Sequence, residues 1–245
     1  MPLLEGKTVI ITGAASGIGE EITRQCIKEN AQVIACDVNY EKLTELAASL
    51  PKSMLNIYQL DVTRYQDVMK FFTYIEEKYP DIDGLVNNAG IYLGKNILDY
   101  ETEEIDNVLD VNVKGFIYCS KFFGRILITR KREGVIINMS SVSGLEGSSD
   151  AVYGLSKAAI VGLTKSCAVN FSPYIRVNAV TPTLVDTSMM NTVPDWRKAE
   201  YREHELIKKP VLPIDIANTV IFLLSEKARN YTGATFDINN GCYLR

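Results

Sequence analysis

Residues 8–19 read Thr-Val-Ile-Ile-Thr-Gly-Ala-Ala-Ser-Gly-Ile-Gly: an apolar, β-branched run ends at Thr12 and opens into a turn carrying Gly13, Gly17 and Gly19. From Glu20 to Lys28 the sequence has helical character, so the order is strand, glycine turn, helix. Glycine permits positive φ and lets an anion come close to peptide N–H groups, while the start of the following helix offers unpaired donors and a partial positive charge. Gly13, Ser16, Gly17, Ile18 and Gly19 are therefore the expected contacts of a pyrophosphate. A glycine triplet is a weak signal alone. The next strand strengthens it, because it closes at Cys36 and is followed at once by Asp37, where a carboxylate can accept both ribose hydroxyls of an adenosine. That carboxylate would repel a 2′-phosphate by roughly 4 kcal/mol at about 4 Å, which favours NAD over NADP.

The pattern continues along the chain. Short β-branched runs alternate with longer helical segments, which points to βαβ units around a mostly parallel sheet. The expected strands are Lys7–Thr12, Gln32–Cys36, Asn56–Leu60, Gly84–Asn87, Gly134–Met139, Ile175–Ala179 and Ala234–Ile238. Thr63 and Gln66 have the spacing of a capping box, so a helix is expected just after Thr63 and on toward Lys78. Asp150 is the expected N-cap of a helix over Ala151–Phe171, and Pro213 opens the last one, reaching Ser225. With no repeat, low-complexity tract or linker, residues 1–245 read as one domain of α/β class. The irregular stretch 187–212, with Met189, Met190, Trp196 and two prolines, reads as a substrate-covering lid or a plain surface excursion. The basic run Arg130-Lys131-Arg132 reads as a solvated helix terminus that complements the helix dipole.

Composition narrows the functional classes. In 245 residues, 47% apolar and 23% charged, Lys plus Arg number 26 against 30 for Asp plus Glu, a net charge of −4. That is an ordinary globular balance with no global positive field, so nucleic acid and anionic membrane surfaces are not expected partners. No apolar stretch reaches the ~18 residues of a membrane span, and no leader is evident before Thr8, so a cytoplasmic location is expected. The five cysteines, Cys26, Cys36, Cys119, Cys167 and Cys242, are scattered and read mostly as small core residues of a reducing compartment. The single histidine, His204, lies in a polar stretch and reads as a surface residue; no metal site is expected, and a Ser-His-Asp hydrolase is improbable.

The glycine spacing, Thr-Gly-x-x-x-Gly-x-Gly, resembles the short-chain dehydrogenase/reductase family. The rest of that family's pattern follows in order: Asn87-Asn88-Ala89-Gly90 after a strand, Asn112 in Asp-Val-Asn-Val, Ser141 in Asn-Met-Ser-Ser, and Tyr153-x-x-x-Lys157. The resemblance covers Gly6 to about Thr187 closely and the remainder loosely. It implies a Rossmann-type, doubly wound sheet of about seven parallel strands flanked by helices, with a cofactor across the carboxyl ends of the strands. By the same matching, Asp61 and Val62 would contact adenine, and Asn88, with Ala89 and Gly90, would line the adenosine side. Val185 and Thr187 would approach the nicotinamide carboxamide, and Pro182 would be a further cofactor contact. Pairing through the helix at 151–171 would give a homotetramer, or a homodimer. Two departures stand out: Pro182-Thr183 where the family has Pro-Gly, and Asn239-Asn240-Gly241 where it commonly has Asp-Gly-Gly. Asparagine tolerates left-handed backbone angles, so the second turn can survive. Thr183 would shift the nicotinamide contact or add a hydroxyl to it.

Tyr153 and Lys157 are four apart on an expected helix and so share a face. A nearby ammonium favours a phenolate, and lowering a phenol of pKa about 10 by roughly two units requires about 2.7 kcal/mol. Tyr153 would then serve as general acid/base in NAD-dependent interconversion of a small secondary alcohol and a ketone, with Ser141 holding the substrate oxygen. The resemblance further implies that Lys157 binds the nicotinamide ribose and that Asn112 holds a water in a proton path. The alternative is a non-catalytic NAD-binding sensor or scaffold on the same fold, because fold does not fix function. Substrate identity stays open: Tyr92, Leu145, Met189, Met190 and Trp196 fit an apolar pocket or plain packing. Glu146 and Asp150 fit a preference for a cationic or hydroxylated substrate or ordinary surface carboxylates.

Overall fold

The computed structural model describes residues 2–244. Seven strands form one sheet in the order β3-β2-β1-β4-β5-β6-β7. They are β1 (Thr8–Thr12), β2 (Gln32–Asp37), β3 (Leu55–Gln59), β4 (Gly84–Asn87), β5 (Gly134–Met139), β6 (Ile175–Pro182) and β7 (Thr235–Ile238), and every pairing is parallel. Parallel strands need crossovers that cover both faces, and these strands are accordingly apolar on both sides. Along β1, Val9 and Ile11 join the core beneath α1 (Gly17–Lys28) and α8 (Pro213–Leu224). Ile10, between them, joins the core beneath α3 (Tyr65–Lys78) and α5 (Gly115–Thr129). The remaining helices are α2 (Tyr40–Ala48), α4 (Thr102–Leu109), α6 (Ala151–Asn170) and α7 (Asp195–His204). The doubly wound Rossmann-like class expected from sequence is the fold observed.

Element boundaries moved where tertiary contacts overrode local signals. β6 runs three residues past the expected Ala179, because β7 pairs with Ala179 through Pro182 and extends the ladder. α3 begins at Tyr65 with Arg64 at its N-cap and no side-chain capping bond, so the expected Thr63–Gln66 box is absent. The Thr63 hydroxyl instead donates to Asp61 Oδ1 at 2.6 Å, a local turn that competes for the capping oxygen. The basic run does complement a helix end, but that of α3: Arg130 donates to the carbonyls of Pro80 and Glu76, and Arg132 to that of Pro80. Asp150 caps α6 as expected, accepting from the Tyr153 N–H at 2.9 Å. Cys26, Cys36, Cys119 and Cys167 are buried, and His204 is exposed.

The sheet order reverses between β1 and β4, whose outgoing connections run to opposite sides and leave a crevice at the carboxyl ends of the strands. Thr12 and Asn88 stitch this point. Thr12 Oγ1 accepts from the N–H groups of Asn88 and Ala89 at 3.0 and 3.2 Å, and the Asn88 amide donates to the carbonyls of Thr12 and Gly13, both at 3.1 Å.

Candidate active site

A cavity of about 830 Å³ opens over the crevice, within the ~300–1,000 Å³ usual for small-molecule and cofactor sites. At one end lies the glycine turn. Gly13 has φ +65°, and a Cβ there would stand 2.7 Å from Ala89 Cα, so only glycine lets the turn lie against the loop after β4. Gly19 is equally constrained, since its Cβ would fall 2.0 Å from the Gly13 carbonyl oxygen. Gly13, Ser16, Gly17 and Ile18 line the cavity; Gly19 does not, and serves to let α1 pack beneath the turn. Asp37 lines the same end and also holds the turn in place, with Oδ2 accepting from Ala15 N–H at 3.0 Å and Oδ1 from Asn39 N–H at 2.9 Å. Asp61 and Val62 come from the end of β3, Asn88, Ala89 and Gly90 from the end of β4, and Pro182, Val185 and Thr187 from the end of β6.

At the other end stand Ser141, Tyr153 and Lys157. Tyr153 and Lys157 lie one turn apart on α6, with Lys157 Nζ 5.6 Å from the centre of the Tyr153 ring and donating to the Met139 carbonyl at 3.0 Å. Burial dominates both groups. It pushes the Tyr153 phenol up to about 12, against a smaller downward pull from its hydrogen bond with Ser141, and pulls the Lys157 ammonium down to about 8. The expected lowering of the phenol by its neighbour is therefore not what the protein alone produces, because desolvation penalises either charge more than the pair repays. Ser140 also lines the cavity, but its hydroxyl is taken up by the Lys157 carbonyl at 2.7 Å, which leaves Ser141 as the serine that meets the phenol.

Asn112 lies behind this wall, fully buried in a wide five-residue π turn (Asp110–Lys114) between α4 and α5. Its amide grips the Ile91 main chain on both sides, accepting from N–H at 2.8 Å and donating to the carbonyl at 2.9 Å, and also donates to Ser156. It braces the loop after β4 from beneath. Thr183 is buried with its hydroxyl accepting from Cys242 Sγ at 3.5 Å, and Asn240 takes φ +51°, so the C-terminal turn forms without the family's glycine.

The family model described as Enoyl-(Acyl carrier protein) reductase matches residues 13–243. The chain is 34% identical over 239 residues to meso-2,3-butanediol dehydrogenase of Serratia marcescens, covering 97% of this chain and 94% of that one. It is 36% identical over 250 residues to 3-oxoacyl-(acyl-carrier-protein) reductase of Thermotoga maritima, covering 98% and 99%. The chain belongs to the short-chain dehydrogenase/reductase family. Among solved structures, a short-chain dehydrogenase/reductase (glucose/ribitol dehydrogenase) from Brucella melitensis superposes with a TM-score of 0.93 at 28% identity, covering 99% of each chain. A 3-ketoacyl-(acyl-carrier-protein) reductase from the same organism, complexed with NADH, gives 0.90 at 29% identity and covers 98% of this chain and 100% of its own.

As a short-chain dehydrogenase/reductase, the chain presents most of the anticipated cofactor residues to a single cavity. Sequence reasoning missed several others. Val38 lines it from just beyond β2, Asn107 from α4, and Arg197 and Tyr201 from α7. Tyr92, Met189 and Met190 are on the wall, but Leu145 is not, and Trp196 is 61% exposed to solvent. Glu146 accepts from the Tyr201 hydroxyl at 2.6 Å, and Arg197 donates to Tyr201 Oη at 3.1 Å and to Glu200 at 2.6 Å. Among the described residues there is no cluster of His, Cys, Asp and Glu suited to a metal ion, and no helix long and apolar enough to cross a membrane.

Proposed function

We propose that this short-chain dehydrogenase/reductase interconverts a secondary alcohol and a ketone with NAD as cofactor, Tyr153 acting as general acid/base. One observation carries the reading. The Tyr153 phenol, hydrogen-bonded to Ser141 and backed by Lys157, stands on the wall of the cavity whose other end is the glycine turn. The residues fit a dinucleotide: Gly17 presents a positive-φ backbone to the cavity, and Asp37 stands where ribose hydroxyls need an acceptor. The carboxylate supports NAD over NADP by repelling a 2′-phosphate. When bound, the nicotinamide supplies a hydride acceptor or donor and, when oxidised, a positive charge. Ser141 holds the substrate oxygen, Tyr153 passes the proton, and Lys157 binds the nicotinamide ribose. Residues 187–212 cover the substrate end. A phenol kept neutral by burial is ready to donate a proton near pH 7, which suits reduction; oxidation requires the phenolate and gains as pH rises.

The test is NADH formation from a panel of secondary alcohols by the protein and by Tyr153→Phe. The expected outcome is turnover that rises between pH 7 and 10, and a loss of at least roughly 10³-fold in the variant with NAD affinity within about twofold. Absence of turnover together with tight NAD binding would instead identify a cofactor-binding sensor. Subunit pairing through α6 into a tetramer or dimer accompanies this reading, and sedimentation measures it.

A further inference from the structure

We propose that Asp150 is a positioning residue for Tyr153, whose buried carboxylate fixes both the start of α6 and the loop at residues 91–96 that forms the adjoining wall of the cavity. The inference rests on the reading of Tyr153 as the acid/base. Asp150 is completely buried. Its Oδ1 accepts from Tyr153 N–H at 2.9 Å and from Tyr100 Oη at 2.8 Å. Its Oδ2 accepts from Gly94 N–H at 3.0 Å, with Tyr100 Oη at 2.9 Å and Lys95 N–H at 3.4 Å. Three separate pieces of chain thus converge on one side chain: the first turn of α6, the Gly94 turn, and the lead-in to α4. An N-cap requires only the first of them.

What those pieces carry makes the convergence functional. The loop that donates two of the bonds holds Tyr92, whose ring packs edge-on against that of Tyr153 with centres 4.9 Å apart. Gly94 has φ +70°, and a Cβ there would meet the Thr192 carbonyl at 2.9 Å, so the same turn abuts the segment covering the substrate end. Every donor to Asp150 is neutral, a phenol or a peptide N–H, so its charge is stabilised without a partnering cation and remains felt by its neighbours. That charge pushes the phenols of both Tyr153 and Tyr92 upward, in addition to burial. The other titratable groups around this end are Lys157 on α6, Glu146 beyond Ser141, Arg197 and Tyr201 on α7, and the Lys95–Glu104 ion pair beside Tyr100; none of their side chains donates to Asp150. Asp150 therefore acts on the reaction through Tyr153 and touches no substrate itself.

The experiment measures the pH dependence of kcat/KM for alcohol oxidation in the intact protein, in Asp150→Asn and in Tyr100→Phe, with Tyr153→Phe as the control for the parent reading. Asparagine retains an acceptor for Tyr153 N–H but removes the charge, so the alkaline midpoint is expected to move down by roughly one pH unit. Tyr100→Phe keeps the charge and removes a donor that dampens it, so its midpoint is expected to move up by a smaller amount. A folded Asp150→Asn protein that loses rate with its midpoint unmoved would reduce Asp150 to a cap and overturn the proposal. Should Asp150→Asn fail to fold, the Tyr100→Phe arm decides: a midpoint unmoved or shifted down overturns it. If Tyr153→Phe retains full activity, the parent reading fails, and that result is distinct from either shift.

Discussion

The two ends of the cavity are built by different means. At the glycine turn the contacts are backbone on backbone: Gly13 against Ala89, Gly19 against the Gly13 carbonyl, and the Thr12–Asn88 stitch across the sheet. At the substrate end the contacts are long polar side chains reaching between distant segments, with Tyr201 and Arg197 of α7 both meeting Glu146. Close backbone approach leaves few residue choices, whereas a side-chain bridge can be built from many pairs. The first end is therefore fixed in geometry and recognisable in a short motif, and the second is free to vary with the molecule it receives.

The comparison breaks first at Gly13. Gly13→Ala places a Cβ 2.7 Å from Ala89 Cα at a positive φ, and the expected result is a loss of about 2–4 kcal/mol in denaturant unfolding together with weakened NAD binding. An unaltered unfolding curve would mean that this end is more compliant than its packing shows. At the other end, Lys157 stands against Gly90 of the loop after β4. Its ammonium is held down to about 8, below its ordinary 10.5, so the native state pays for its charge at pH 7, and its stabilising contribution is complete only above pH 10.5 and is lost as pH falls through 8. Lys157→Met is thus expected to be more stable than the parent at pH 7, by at most about 3 kcal/mol, with the gap closing as pH rises toward 10.5. Melting temperatures at pH 7 and 10.5 measure it, and activity should be lost throughout.

Asp37→Ala sharpens the contrast within the cofactor end, since the carboxylate that holds the turn is the one proposed to take the ribose. The ratio of NAD to NADP affinity should fall by roughly tenfold or more, with a small drop in stability from the freed Ala15 N–H. Titration with both nucleotides reads the ratio, and a parent protein that prefers NADP would refute the charge argument. The smallest effect is expected at Tyr201→Phe, which keeps the ring and removes the hydroxyl from Glu146. KM for substrate should rise by roughly three- to tenfold, with kcat changed less than about twofold and NAD affinity unmoved. An equal fall in kcat would show that α7 acts on the chemistry rather than on holding the substrate.

The same division explains what could be read from the chain. The strands, the glycine turn and the Tyr153–Lys157 pair were legible because each depends on spacing within a few residues. The end of β6 was not, because its last two residues, Thr181 and Pro182, are strand by pairing with β7, more than fifty positions away. The capping oxygen of Thr63 went to Asp61, a choice between two local bonds that spacing does not settle. Arg197 and Tyr201 gave no signal, since α7 is mostly polar and its inward face is set by Ser143, Glu146 and Gly147, fifty or more positions earlier. The balance between Tyr153 and Lys157 is not legible in the chain, because pairing can be inferred from sequence, whereas depth of burial cannot.

The bonds between Thr12 and Asn88 cross the seam where the two windings of the sheet diverge. A seam sewn at that place ties the two windings together, so the crevice between them cannot gape like a jaw.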